Sequence, residues 1–498
     1  MNVNPITRLD YPDLDVIRVE DTYYMVSTTM HFMPGCEILQ SFDLVHWEHA
    51  TYVYETLDHT DAQQLKSGQN IYGQGMWAAS LRYHEGRFYI CFVANDTRKT
   101  YLYTSEKIDG PWKKQLIEGF YHDGSLLFDE DGRNYIVYGN DEIWITELNE
   151  DLTAPKKDGL HRLLVSDHKN PELGYEGSHI QKINGYYYIF LVHSLRDRWM
   201  RTEACFYSDS LEGEFTGGDV LCDDRGYCGQ GVAQGGIVDT PDGKWYAMLF
   251  QDSGAVGRIP ILLPVTWKDH FPFFGQNGHV PEEIEVHSTR PGYIYQPLVG
   301  SDDFCNGLLP RWQFNHDPDP RYYHLDALQG TYTITTREVC TELTQAVNTL
   351  TQRMSYPSCA AEVTVDASAL KEGDVAGLCA LQSCYAAVGI TKHHGKYEVL
   401  MLDKKEDGIL DMTEGTVVES HQMDFRLEAD FCNMKDEARC YYRVNKGDWL
   451  PIGTVHKLYF KLDHFTGCRF GLFCYAAEET GGSACFRDFK YYDVDEIS

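Results

Sequence analysis

The sequence predicts an all-β chain: a five-bladed β-propeller over residues 1–296, followed by a β-sandwich of jelly-roll type over residues 297–498. One repeated phrase, the absence of helical periodicity and the aromatic content support this. In the phrase, a turn residue is followed by Tyr, often with a second aromatic, and then by a short apolar run. It occurs at Asp21-Thr22-Tyr23-Tyr24, Gly86-Arg87-Phe88-Tyr89, Gly132-Arg133-Asn134-Tyr135, Gly185-Tyr186-Tyr187-Tyr188 and Gly243-Lys244-Trp245-Tyr246. The final tyrosines are 65, 46, 53 and 58 residues apart, about the length of a four-stranded blade with its loops. No segment keeps a 3.6-residue apolar period over several turns. Aromatics make up 13% of the chain, which excludes disorder and suits half-buried pleated faces.

Taken in order, the blade strands read at 23–28, 88–93, 135–138, 187–192 and 245–250, each bounded by Gly, Asp, Asn or Pro. The phrase fits again from Gly292 to Tyr295 and nearly at Gly395-Lys396-Tyr397, but neither extends the blade pattern, because 271–291 reads as loop. Residues 288–300 are a connector with Pro291, Pro297 and two tyrosines in place of a Gly/Ser run, so the second domain is expected to pack firmly on the first. Asp302-Asp303-Phe304 opens a region of evenly spaced short strands at 332–335, 360–365, 376–381, 397–402, 458–462 and 469–474, the pattern of a sandwich.

At 498 residues, two domains are the natural division. A formal charge of −32 argues against nucleic acid or an anionic membrane as partner and is compatible with a neutral sugar. Fifteen cysteines lie scattered without CxxC or zinc-ligand spacing. The opening Met1-Asn2-Val3-Asn4-Pro5 has neither the basic nor the apolar stretch of a leader, so a cytoplasmic location with reduced thiols is expected. No stretch approaches the roughly 20 apolar residues of a membrane span.

Three acidic motifs precede apolar runs in matching places: Tyr11-Pro12-Asp13, His122-Asp123-Gly124-Ser125 and Gly174-Tyr175-Glu176-Gly177-Ser178-His179. A lone Asp in a turn usually caps backbone N–H groups. Three acids in one blade register instead converge on the propeller axis. Such a set suits glycoside hydrolysis: one ionised acid activates water, one protonated acid serves the leaving oxygen, and a third tunes the acid by like-charge proximity. Glu176 is the better acid, and a neighbouring carboxylate such as Asp123 is expected to raise its pKa.

With Asn4-Pro5-Ile6, Ile17-Arg18-Val19, Ser27-Thr28-Thr29, Pro34-Gly35 and Asp43-Leu44-Val45-His46-Trp47, these motifs resemble glycoside hydrolase family 43. The branch is that of β-xylosidases and α-L-arabinofuranosidases with an appended β-sandwich. Met76-Trp77-Ala78-Ala79-Ser80 resembles the family's Trp-Ala-Pro motif, with Ala79 in place of Pro. The resemblance runs on through Ser301-Asp302-Asp303-Phe304 and Gly373 to Leu378. It implies Asp13 as general base, since the family's Asp stands five residues before an Arg, here Arg18. It implies Asp123 as modulator, and Glu176 as acid in preference to Glu172, which lacks the following Gly-x-His. Arg258 matches an arginine that contacts the sugar, and Met30, Phe32 and Trp77 would wall its apolar face. Where many relatives carry a central His, this chain has Gln234, which cannot titrate but can accept from water or ligate calcium through its carbonyl.

The reading is an inverting, exo-acting hydrolase of xylo- or arabino-oligosaccharides, β-D-xylosides first and α-L-arabinofuranosides second. No cofactor is required for the chemistry. A structural or activating calcium ion is compatible with the abundant oxygen ligands, and a homo-oligomer is compatible with the sequence. The resemblance further implies that a loop of the second domain helps to close the pocket. A carbohydrate-binding protein without turnover is the alternative from another class, disfavoured by the intact set of acids.

Overall fold

The computed structural model describes residues 2–493. Five four-stranded antiparallel sheets follow one another along the chain, each with strands in sequence order from inside to outside. Their innermost strands are Asp15–Val19, Met76–His84, Ser125–Phe128, Glu176–Ile183 and Val232–Asp239, and these touch one another in a closed ring. The repeated aromatic phrase is the inner hairpin of each blade. Its turn residues are left-handed: Glu85 and Gly86 at φ 47° and 77°, and Asn184 and Gly185 at 51° and 86°. Two consecutive positive φ values mark the turn whose twist matches the flanking strands.

Polar stitches across the ends of the chain close the ring. Arg18 on the first inner strand pairs with Asp239 on the fifth. Asn2–Val3 pairs with Glu283–Ile284 beyond blade 5, and the Asn4 amide donates to Leu262 O at 2.7 Å and accepts from Leu262 N–H at 3.1 Å. At the axis, Asp15 accepts from Arg82 Nη1 at 2.6 Å and His179 Nδ1 at 3.1 Å. Arg82 also reaches Ser125 Oγ and Ile180 O, so one guanidinium joins blades 1 to 4.

Two stretches differ from the sequence reading. Phe271–Phe274 is not loop but the outer strand of blade 5, paired with the Arg258–Lys268 strand. It is four residues long and contains Pro272, which an edge strand tolerates but which hides its period. Residues 458–462 are not a strand: pairing ends with Leu450–Lys457, and the chain then leaves the sheet for the propeller.

The second domain is a sandwich of two antiparallel sheets. One of them runs Lys396–Lys404, Tyr385–His393, Val375–Leu381, Arg469–Tyr475, Leu350–Arg353 and Gln313–Asn315, and it ends on a strand of the propeller, Phe32–Met33. Asn315 stands opposite Phe32, and Phe314 opposite Met33. The sandwich core also takes in Ala255, Val256 and Ile259 of blade 5. Arg353 of the sandwich meets Glu37 of the propeller at 2.8 Å, both almost wholly buried. Removing one member of such a pair leaves an uncompensated buried charge, so parting the two domains at this junction is costly. All 15 cysteines are free, and no helix among the described residues is long and apolar enough to cross a membrane.

Candidate active site

The same backbone feature recurs where each inner strand begins. Asp13, Ala78, Asp123, Gly177 and Gln234 have φ of 50°, 35°, 48°, 66° and 63°. In blades 2, 4 and 5 it accompanies a register shift, between Trp77 and Ser80, Glu176 and His179, and Ala233 and Gly236. A bulge re-aims the side chains beside it, here into a cavity of about 210 Å³ over the axis. For a non-glycine residue this conformation is strained, and such strain gathers at functional sites.

Asp13 occupies one side of the cavity, 4% exposed. Its Oδ1 accepts from Arg258 Nη1 at 2.5 Å and Gln234 Nε2 at 3.3 Å, and its Oδ2 from Thr28 Oγ1 at 2.7 Å. Arg258 in turn donates to Asp252 at 3.1 Å and lies 3.8 Å above the Phe465 ring. These contacts fix the carboxylate in place.

Glu176 and Asp123 form the other side. Asn140 Nδ2 donates to Glu176 Oε2 at 2.9 Å, and Gly177 N–H to Asp123 Oδ2 at 2.9 Å. His122 Nε2 lies between them, 3.7 Å from Glu176 Oε2 and 3.6 Å from Asp123 Oδ2. Burial raises Asp123 to about 6, with the Glu176 and Asp13 charges adding and His122 opposing. Burial acts upward on Glu176 too, but His122, Arg201 and Arg258 outweigh it and hold Glu176 below the usual carboxylate value. The charge of Asp123 raises His122 to about 9 against its burial. The expectation that Asp123 lifts Glu176 is therefore corrected: the imidazole between them reverses the sign.

Trp77, Gln234 and Arg258 line the cavity together with the three acids. Met30 and Phe32 do not. Met30 is fully buried and bridges to Met76, with its sulfur accepting from Thr466. Phe32 is spent on the sandwich sheet, under the Arg469 guanidinium at 3.4 Å. The wall expected from them comes instead from the sandwich, whose 458–468 loop brings Leu462 and Phe465 to the cavity. Asp10 fastens this loop, accepting from Gly467 N–H at 2.8 Å and from Arg258 N–H of blade 5 at 2.7 Å.

Among the described residues, one His/Cys/Asp/Glu group is close enough to hold a metal: His122, Asp123 and Glu176. An imidazole with two carboxylates is a poor match for calcium, which takes 6–8 oxygens.

The sequence profile of glycosyl hydrolases family 43 matches residues 3–272. The chain belongs to this family. A second profile, the β-xylosidase C-terminal concanavalin A-like domain, matches residues 301–492. The β-xylosidase of Formosa agariphila is 26% identical over 99% of this chain and 89% of its own length. A non-reducing end α-L-arabinofuranosidase of Bacteroides ovatus is 24% identical over 82% of this chain and 79% of its own. Among solved structures, the bifunctional GH43-CE protein of Bacteroides eggerthii superposes with a TM-score of 0.92 at 42% identity. That match covers the whole of this chain, which spans 64% of the length of that protein. The chain is a glycoside hydrolase.

Sequence reasoning gave no role to several residues of this family 43 site. Leu173, Trp199 and Arg201 of blade 4 line the cavity with Asn140. Arg201 donates to Asp252 at 3.1 Å, while its Nη1 is buried without a partner. An arginine within the apolar strand pattern of 199–206 was the available signal. Phe465 offered none of its own, because it lies between the stretches 458–462 and 469–474 that read as strand, some 200 residues beyond the last blade.

Proposed function

We propose that this glycoside hydrolase is exo-acting and inverting, and that it removes terminal pentoses, β-D-xylosyl residues first and α-L-arabinofuranosyl residues second. The observation that carries the reading is the division of the cavity. Asp13 is held by Arg258, Thr28 and Gln234 on one side, while Glu176 and Asp123 share His122 on the other. In the proposed reaction Glu176 gives a proton to the glycosidic oxygen. The bond from that oxygen to the anomeric carbon breaks, and its electron pair stays on the oxygen. Water attacks the carbon from the opposite face as Asp13 takes its proton, which inverts the anomeric centre.

Size supports the exo reading. A cavity of about 210 Å³ is below the ~300–1,000 Å³ of drug-sized ligand sites and suits one sugar ring. Trp77 and Phe465 close it, with ring centroids 5.0 Å apart. Arg201 Nη1, Trp77 Nε1 and Gln234 Oε1 are buried and unpartnered there, ready for hydroxyls. A hexose adds a CH₂OH, which such a space rejects at a cost of about 1–3 kcal/mol.

The test is hydrolysis of matched aryl β-D-xylosides, α-L-arabinofuranosides and β-D-glucosides, with NMR of the first-formed sugar. Cleavage of both pentosides, none of the glucoside, and an inverted anomer are expected. Retention, or intermediate-length products appearing first from xylan, would overturn the reading.

A further inference from the structure

His122 stands beside the acid without a part in the reaction as written. Its Nε2 faces two carboxylate oxygens, Glu176 Oε2 at 3.7 Å and Asp123 Oδ2 at 3.6 Å, and is buried with no hydrogen-bond partner among the described residues. Both oxygens already take one fixed donor, from Asn140 and from Gly177 N–H. Trp77 lies beside the imidazole, with ring centroids 6.5 Å apart and planes tilted by 58°. The charged groups facing this cluster are Asp123 from the same turn, Glu176 and Arg201 from blade 4, Asp13 ahead of blade 1 and Arg258 from blade 5.

The geometry points to a shared proton: His122 and Glu176 act as one acid, with His122 keeping at Nε2 the proton that Glu176 Oε2 takes up and passes to the leaving group. This rests on Glu176 being the acid. Before substrate binds, the pair is charged, imidazolium beside carboxylate. Substrate displaces water from the cavity, and low polarity favours the neutral pair. As the 3.7 Å separation tightens to hydrogen-bond distance on binding, the proton moves from Nε2 to Oε2, leaving a neutral imidazole and a carboxylic acid, and no proton is drawn from solvent. After cleavage Glu176 is again a carboxylate, Asp13 carries the proton from water, and Asp13 returns one proton to solvent as His122 regains one. His122 is thus a positioning residue that acts through Glu176, and the pair titrates as a unit. With Asp123 raising His122 to about 9, the acid stays loaded well above neutral pH. A lone carboxyl would have emptied there.

The experiment is the pH dependence of kcat/KM for the wild type and His122→Gln, on xylobiose and on 2,4-dinitrophenyl β-D-xyloside, whose leaving group needs no proton. In the variant the alkaline limb on xylobiose should move down by about two pH units, a roughly 100-fold loss at pH 8. That loss should shrink towards pH 5, and the aryl substrate should lose far less. Equal losses at every pH and on both substrates would reduce His122 to a structural role. A limb moved to higher pH would make it only a charge that keeps Glu176 ionised. Either result overturns the proposal. If Glu176→Ala itself loses equally on both substrates, the assignment of the acid has failed instead. Should the His122 variant not fold, histidine NMR of the wild type and Glu176→Gln decides: one imidazole should titrate near 9 and fall in the variant, and no such signal would refute the shared proton.

Discussion

The propeller axis opens at both ends, and the wider end is not the one that gathers the acids. The mouth at the far ends of the inner strands encloses about 470 Å³, against about 210 Å³ at the strand starts. In the wide mouth the charges answer one another: Arg18 meets Asp239, Lys182 meets Asp129 and Glu130, and Arg82 meets Asp15. None of its lining side chains has a buried unpartnered polar atom among the described residues. The narrow mouth has four residues with such an atom: Trp77, His122, Arg201 and Gln234. Buried polar groups are normally satisfied, and here four such groups face the cavity that also holds the three acids. Unmet hydrogen bonds, more than volume, separate a binding site from a channel.

Substitutions at each end test that contrast. The largest effect belongs to the narrow mouth: Asp13→Ala and Glu176→Ala should each lower kcat by about 10²–10⁴-fold. The Glu176 loss should be greatest on xylobiose and least on activated aryl xylosides, read by steady-state kinetics on both.

Between the mouths, Asp15→Ala should destabilise the fold by about 3–5 kcal/mol, because Arg82 and His179 lose their shared, wholly buried carboxylate, measured as the shift in denaturant midpoint. Although burial acts to raise it, Arg82 and His179 hold Asp15 at about 2 against the ordinary 3.8. Its contribution is therefore complete above about pH 4 and fades as pH falls towards 2. The gap between variant and wild type should narrow over that window.

Arg201→Met should weaken kcat/KM by roughly 10–150-fold, the worth of one charged hydrogen bond to substrate, with the fold retained because Arg258 still holds Asp252. The smallest effect is expected at the wide mouth. Lys182→Met should leave kcat/KM within about two-fold, because it lies away from the acids and its partner Asp129 keeps the Tyr187 hydroxyl and the Glu130 N–H. Loss of activity there would end the distinction between the two mouths.

Repeats made the propeller legible. The aromatic phrase is the inner hairpin, and the register of Asp13, Asp123 and Glu176 relative to it was enough to place three acids in one cavity. What escaped depends on contacts between distant segments. Phe32 looks like a pocket residue in a pocket motif, but a sandwich strand some 280 residues later claims its backbone. Phe465 reaches the cavity only because the chain leaves a sheet at a point where the local pattern still reads as strand. The sign of the shift at Glu176 depended on which way an imidazole points, which residue order does not encode.

The strand that the propeller lends to the sandwich also sets an order of events during synthesis. Phe32 and Met33 are made early, but their partners Phe314 and Asn315 follow only after the fifth blade. Phe465 follows later still. A ribosome has thus produced every acid of the site well before the residue that closes it. Pairings this far apart in sequence form slowly, since a long loop must close first. In the unfinished chain Phe32–Met33 has no strand to pair with, and the enclosed pocket is among the last parts of the molecule to exist.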